Sequence, residues 1–342
     1  MKSILLIALF IALASASFLT KDEVNFINFQ QKYNKVYESH EYAAKFATFK
    51  SNVGLIESLN QKAKAQNSDL TFGVNKFADL SPAEFRKYYM SAVSATPSAD
   101  LPMAAELSDD IINATPVAFD WREHGAVTPV KNQGQCGSCW TFSTTGNVEG
   151  QNFLAAKNPL VGLSEQNLVD CSNNCMEYEN QKVCNAGCDG GLQPIAYEYI
   201  IQAGGIDTEQ AYPYTAVDGT CKFDASSVGA KITSYTMVPT NETQIAAFLA
   251  TTGPLAIAAD AAEWQFYLGG VFDIPCGKSL DHGILIVGYS AQRTILGANT
   301  PYWIVKNSWG ADWGEAGYLK VLRNKNECGV ANFVSTSIIS AQ

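Results

Sequence analysis

Three rhythms of apolar and polar positions run along this chain, and each predicts a different kind of element. Met1-Lys2 leads into an unbroken apolar run over residues 4–14, closed by Ala14-Ser15-Ala16. That small-x-small ending has the form of a signal-peptidase site, and the run is shorter than the roughly 20 residues a membrane span requires. Residues 1–16 are expected to be a cleaved signal peptide, with no membrane anchor. A helical rhythm follows: Glu41, Lys45, Phe49, Asn52, Ile56 and Asn60 recur every three or four positions and share one face of a long helix. Alternation over residues 72–79 predicts a short strand. Ser81-Pro82-Ala83-Glu84 has the form of a capping box with proline at the first helical position, so a short helix should run toward Met90. Residues 91–115, rich in Ala, Ser, Pro and Asp, lose periodicity and predict an extended, exposed linker of the kind proteases cut.

Beyond the linker a helix is expected from Ser138 to about Lys157, and Ser164-Glu165-Gln166-Asn167 opens another into Cys171. A polar stretch holding Cys175 and Cys184 separates Cys171 from Cys188. From about Lys231 the rhythm changes to short β-like runs, Leu255-Ala256-Ile257-Ala258, residues 283–289 and residues 302–306, divided by Gly and Pro. The fold class is α+β: a helical half followed by a β-rich half, with the active site expected in the cleft between them.

With 342 residues, 47% hydrophobic and 16% charged, the chain can bury a large core in more than one domain. Its net charge of −10 repels phosphates, which excludes nucleic acid as a partner, and suits an acidic compartment. All nine cysteines fall between Cys136 and Cys328, and an odd number leaves at least one thiol without a partner in the chain. A secretory route favours disulfides for the others.

Cys136-Gly137-Ser138-Cys139 admits a redox pair, half of a zinc site completed by Cys184 and Cys188, or one bridged cysteine beside one free thiol. The third reading sets Cys139 at the start of a helix, whose N-terminal dipole favours a thiolate, with Gln133 six residues earlier as an amide donor. Such a thiolate needs an imidazole, and the chain has three. His40 lies in the part expected to be removed and His124 in a charged turn, which leaves His282 in Asp281-His282-Gly283. Asn307, in Asn307-Ser308-Trp309-Gly310, can orient that imidazole through its amide oxygen, screened by Trp309.

These pieces, in this order, together with Asp120-Trp121-Arg122, Thr128-Pro129-Val130-Lys131-Asn132-Gln133 and Gly187-Cys188-Asp189-Gly190-Gly191, resemble the papain-like cysteine peptidases, most closely the cathepsin L-like branch. The resemblance runs from about residue 20 to 335. It implies a papain-like two-lobed fold, with a helical left lobe and a β-barrel-like right lobe behind a mainly helical propeptide. Cys139 is then the nucleophile, His282 the acid/base, Asn307 its orienter, and Gln133 with the Cys139 amide the oxyanion hole, poised as a thiolate–imidazolium pair. The family pattern pairs Cys136 with Cys188, Cys171 with Cys221 and Cys276 with Cys328. Cys175 and Cys184 are extra and should staple their own loop.

The same resemblance assigns residues 17–114 to an inhibitory propeptide with its linker and 115–342 to the mature peptidase. The face from Glu41 to Asn60 looks like the long-helix propeptide signature, with Lys45 where arginine is usual, so an ion pair there loses the planar fork. Gly73, Asn75, Phe77 and Asp79 match the second propeptide motif, and Asp79 becomes an expected acid sensor. Leu192, Gln193, Ala258, Leu280, Gly283 and Phe333 are expected to line an uncharged specificity pocket, with Gly190, Gly191, Asp281 and Trp309 also meeting substrate. With no His-His pair, an endopeptidase is expected rather than an enzyme trimming dipeptides. No cofactor or metal is expected. The expected partners are protein and peptide substrates, the chain's own propeptide and cystatin-like protein inhibitors, around a monomer. Asn113 and Asn241 open glycosylation triplets. The destination is the lysosome, a digestive vacuole or secretion.

Overall fold

The computed structural model describes residues 19–91, 101–157, 159–178, 181–293 and 299–339. The expected signal peptide and residues 92–100 of the linker lie outside the described residues. In the expected propeptide, α1 (Lys21–Tyr33) opens on a capping box between Thr20 and Glu23 and stops where Asn34 turns left-handed. The long helix α2 (Tyr42–Ala65) buries Phe49, Asn52 and Ile56, the middle of the face expected from the sequence. Phe49 packs at a tilt against Phe26 and Phe29 of α1, so the two helices share an aromatic core.

The strand expected over residues 72–79 is only β1 (Thr71–Phe72). Past it Asn75 ends the extended run, because its Oδ1 accepts the Phe77 amide at 3.0 Å and folds the chain into a turn. Helix α3 (Pro82–Tyr89) follows with proline in its first turn and a reciprocal Ser81–Glu84 capping box. Helix α4 (Asp109–Ala114) lies in the linker.

After β2 (Phe119–Asp120), the first lobe is built on α5 (Cys139–Ala156), α6 (Glu165–Cys171) and α7 (Gln193–Ala203), with the small pairs β3 (Cys175–Tyr178) with β4 (Gln181–Cys184), and β5 (Ile206–Asp207) with β6 (Val228–Ala230). Helix α5 is buried along most of its length, and its polar side chains find partners inside: Ser143 donates to the Ile284 carbonyl at 2.7 Å. The second lobe holds β7 (Ser234–Met237), α8 (Glu242–Thr252), β8 (Leu255–Ala259), β9 (Tyr267–Gly269), β10 (Val271–Phe272), β11 (His282–Arg293), β12 (Asn299–Lys306), β13 (Tyr318–Leu322) and β14 (Val334–Ile338). Seven of these strands line up as β10-β13-β12-β11-β8-β14-β7, with β2 on β11 completing an 8-stranded sheet. The sheet stays open between its outer strands β10 and β7.

Two strand edges receive segments from before residue 115. Strand β1 pairs antiparallel with β9. The linker was expected to be extended and exposed; most of its described residues are exposed, yet its main chain is docked: Met103 bridges Met237 of β7 in parallel, and α4 lies against α8. The cause is main-chain hydrogen bonding, since an outer strand leaves N–H and C=O groups unpaired and an extended segment satisfies them. Disulfides join Cys136–Cys188, Cys171–Cys221, Cys175–Cys184 and Cys276–Cys328, and Cys139 is the free cysteine. Cys276, Glu327 and Cys328 have metal-like proximity, but their two sulfurs are bonded to each other and offer no thiolate.

Candidate active site

Cys139 is the first residue of α5 and is fully buried. The start of β11 brings His282 to it, an approach that needs Gly283, where a Cβ would sit 3.0 Å from Trp140 Cα and 3.2 Å from the Cys139 carbonyl carbon. His282 Nε2 lies 2.8 Å from Asn307 Oδ1, at the end of β12. Its Nδ1 is buried without a partner among the described residues, which leaves that nitrogen to exchange a proton with a thiol. Trp309 stacks on the imidazole with centroids 4.7 Å apart and walls the His282–Asn307 bond from water.

Gln133 is buried, and its amide is oriented by groups that motif reading did not single out. Ser308 Oγ donates to Gln133 Oε1 at 2.7 Å, which turns Nε2 toward the cleft. Tyr214 Oη donates to the Gln133 carbonyl at 2.8 Å and shares a 2.6 Å bond with Ser138, the cap of α5. Ser308 could have been found from its place beside Asn307, whereas Tyr214 lies 81 residues from Gln133 and carries no local signal.

Leu192, Ala258, Leu280 and Phe333 form one buried apolar cluster with Ile195 and Met237. Gln193 turns away from it and donates to Ser143 Oγ and the Ile257 carbonyl, both at 3.0 Å, bridging α5 and β8. Gly191 has no room for a side chain, since a Cβ would stand 2.5 Å from Asn185 Oδ1. Gly191 and Asp281 both meet Ser91. Asn113 and Asn241 are exposed, Asn241 also capping α8 through Thr243.

Main chain of residues 89–91 fills this cleft. Gln133 Nε2 donates to the Tyr89 carbonyl at 3.2 Å and to the Cys136 carbonyl at 2.9 Å. The Ser91 amide donates to the Asp281 carbonyl at 2.8 Å, and the Gly191 amide donates to Ser91 Oγ at 3.3 Å. Phe77, Phe85 and Tyr89 crowd edge-on against the Trp309 indole at 5.8, 5.1 and 6.5 Å. Residues 115–338 match the papain family cysteine protease, and residues 26–85 match the cathepsin propeptide inhibitor domain. The chain belongs to the papain family. It is 61% identical to cysteine proteinase 1 of Dictyostelium discoideum over 99% of this chain and 100% of that one. Cysteine proteinase 15A of Pisum sativum is 46% identical over 93% of this chain and 87% of its own. Among solved structures, digestive procathepsin L2 from the Tenebrio molitor larval midgut superposes with a TM-score of 0.81 at 36% identity, covering 93% of this chain and 100% of that one. Recombinant stem bromelain precursor gives the same TM-score at 35% identity, over 93% and 99%.

The papain-family chain is thus a cysteine protease zymogen, and its electrostatics are those of the covered state. Burial pushes the Cys139 thiol up to about 12, and the Gly283 and Trp140 amides that favour the anion do not offset it. Burial likewise takes His282 down to about 4 despite the Asn307 bond. At neutral pH burial therefore favours a neutral thiol and a neutral imidazole in the precursor; the thiolate–imidazolium pair expected from the resemblance belongs to the uncovered enzyme. Water that would solvate two charges has been replaced by residues 89–91 and by Trp309.

Behind the site the protease seals a charge cluster between its lobes. Lys131 Nζ meets Glu149 at 2.9 Å and Glu165 at 2.6 Å, and Lys306 Nζ donates to Thr128, which donates to Glu149. Burial pushes Glu165 up to about 7, with Lys131 pulling against it, and takes Lys306 down to about 8. Lys131, Glu149, Glu165, Lys306 and Asn307 line a cavity of about 20 Å³. Motif reading missed the cluster because its members come from four separate segments.

Proposed function

We propose that this zymogen is an acid-activated cysteine endopeptidase that works through a thioester and prefers an apolar side chain in its main pocket. The observation that carries the proposal is Gln133 holding the Tyr89 carbonyl, because that amide is then aimed at the place a substrate carbonyl takes. Residues 1–16 act as signal peptide, 17–114 as inhibitory propeptide and 115–342 as mature protease, on a route to the lysosome, a digestive vacuole or the exterior.

Once the propeptide leaves, solvent and the α5 dipole favour transfer of the Cys139 proton to His282 Nδ1. The thiolate attacks the peptide carbonyl, and the resulting oxyanion is held by Gln133 Nε2 and the Cys139 amide. Collapse breaks the C–N bond while His282 returns its proton to the leaving amine, with the acyl group left on Sγ. A water then gives a proton to His282 and attacks the thioester, releasing the acid and the thiolate. Asn307 keeps the imidazole in the tautomer and plane that both transfers require. Leu192, Ala258, Leu280, Gly283 and Phe333 supply an uncharged pocket, and Gly191 pairs with the substrate backbone.

Acid treatment of the precursor followed by assay on a peptide library tests the reading. Turnover should appear with propeptide release, favour aliphatic side chains just before the residue at the cut, and vanish in Cys139→Ala; turnover near wild type in that variant would overturn the assignment.

A further inference from the structure

Residues 101–107 of the precursor occupy a groove that is separate from the catalytic residues. Met237, at the end of β7, donates its N–H to the Pro102 carbonyl at 2.7 Å and accepts the Ala104 N–H at 2.9 Å. Thr236 Oγ1 also donates to the Pro102 carbonyl, at 3.2 Å. Further along, Gln244 of α8 is buried and grips one residue's backbone from both sides: its Oε1 accepts the Leu107 N–H at 2.8 Å, and its Nε2 donates to the Leu107 carbonyl at 3.1 Å. At the other end Leu101 is only 7% exposed and belongs to the apolar cluster of Leu192, Ala258, Leu280 and Phe333.

Each of these groups is main chain, amide, hydroxyl or hydrocarbon. The groove therefore reads an extended backbone and one apolar side chain, with no call on charge.

We infer that the β7 edge and Gln244 form a second peptide-binding groove whose ligand is the chain's own segment 101–107, seated so that Leu101 plugs the specificity pocket. This rests on the proposed assignment of the pocket. Its consequence is a two-step activation. A cut upstream of Leu101 frees the helical propeptide and residues 89–91, yet segment 101–107 stays joined through α4 to the mature protease and keeps the pocket filled. Full opening needs a second cut, after Leu107.

The test uses activated protein, shown by mass to lack residues 101–107, and a fluorescein-labelled peptide of those seven residues. Anisotropy should show saturable binding. The peptide should raise KM for a small leucine-containing substrate with kcat unchanged. Affinity should fall at least tenfold for a Leu101→Asp peptide, and for the wild-type peptide against a Gln244→Leu enzyme. Equal binding of a scrambled peptide, no saturable binding, or hydrolysis of the peptide itself would overturn the groove. Binding with KM unmoved would overturn the plug. Anisotropy needs no turnover, so a protein that binds the peptide but cleaves nothing would refute the proposed function and leave the groove standing.

Discussion

Gln133 owes its aim to a neighbour, and that dependence can be measured. With Ser308 holding Oε1, the amide presents Nε2 to the cleft; without it the amide is free to rotate. Gln133→Ala should lower kcat by about 10²–10³, the usual cost of one oxyanion donor. Ser308→Ala should cost about tenfold, near the worth of one neutral hydrogen bond, with KM little changed. Steady-state kinetics on both variants check the pair. Cys139 makes a second prediction. Because the covered thiol titrates near 12, its alkylation by iodoacetamide in the intact precursor should stay slow from pH 5 to 8, then accelerate by orders of magnitude once the propeptide is removed. Fast labelling of the precursor, read by mass spectrometry, would contradict the neutral state. The sequence led to Cys139, His282, Asn307 and Gln133 because each carries a strong local signal. It did not lead to Ser308 or Tyr214, whose contribution is an orientation that exists only after folding, nor to the inward turn of Gln193.

Among the elements, the long propeptide helix was the most readable, since a face repeating every three or four residues has one physical meaning. Its polar members act as clamps: Asn52 donates to the Ala78 and Leu80 carbonyls, and Asn60 exchanges two 2.9 Å bonds with Phe72. The alternation at 72–79 misled because Asn75 closes a turn with its side chain, and β1 pairs only where β9 offers an edge. The linker is exposed as expected but its docking was not legible, since its composition says nothing of the unpaired main chain waiting at β7. Asp79 sits at the centre of the propeptide's own polar lock, accepting from Lys35 at 2.9 and 3.0 Å and from Tyr37 Oη at 2.9 Å. Asp79→Asn removes the charge facing Lys35 and should weaken the propeptide fold by about 1–3 kcal/mol, so processing should start at higher pH. An unchanged activation profile would count against this role.

For the whole molecule, acid acts through groups whose signs differ. Burial holds the Cys139 thiol up and His282 down in the closed form, and on opening the proton passes from one to the other, so the pair takes up no net proton. Asp281 is raised by burial from 3.8 to about 6, so it adds stability to the closed form as pH falls across that window. Burial also pushes Glu84 up, but hydrogen bonds from Lys45 and Ser81 win and hold it below its ordinary 4.5. Its contribution persists down to that value and is lost beneath it. Propeptide release should therefore accelerate below about pH 4.5, with Lys45→Gln moving the profile to higher pH; a series of release rates against pH checks both. The order of helical and β-rich halves was legible because periodicity changes near Lys231. The open sheet and the charges sealed between the lobes were not, since both depend on which distant segments meet. One feature of that assembly reaches beyond acidity: residues 89–91 and the cleft they fill belong to one chain. While joined, the inhibitor is present at an effective concentration on the order of millimolar, whatever the amount of protein around it. After the chain is cut, occupancy of the cleft follows the bulk concentration instead. Dilution then becomes a trigger: processed molecules crowded in a vesicle would remain largely closed, and the same molecules spilled into a larger volume would open with no further change in pH.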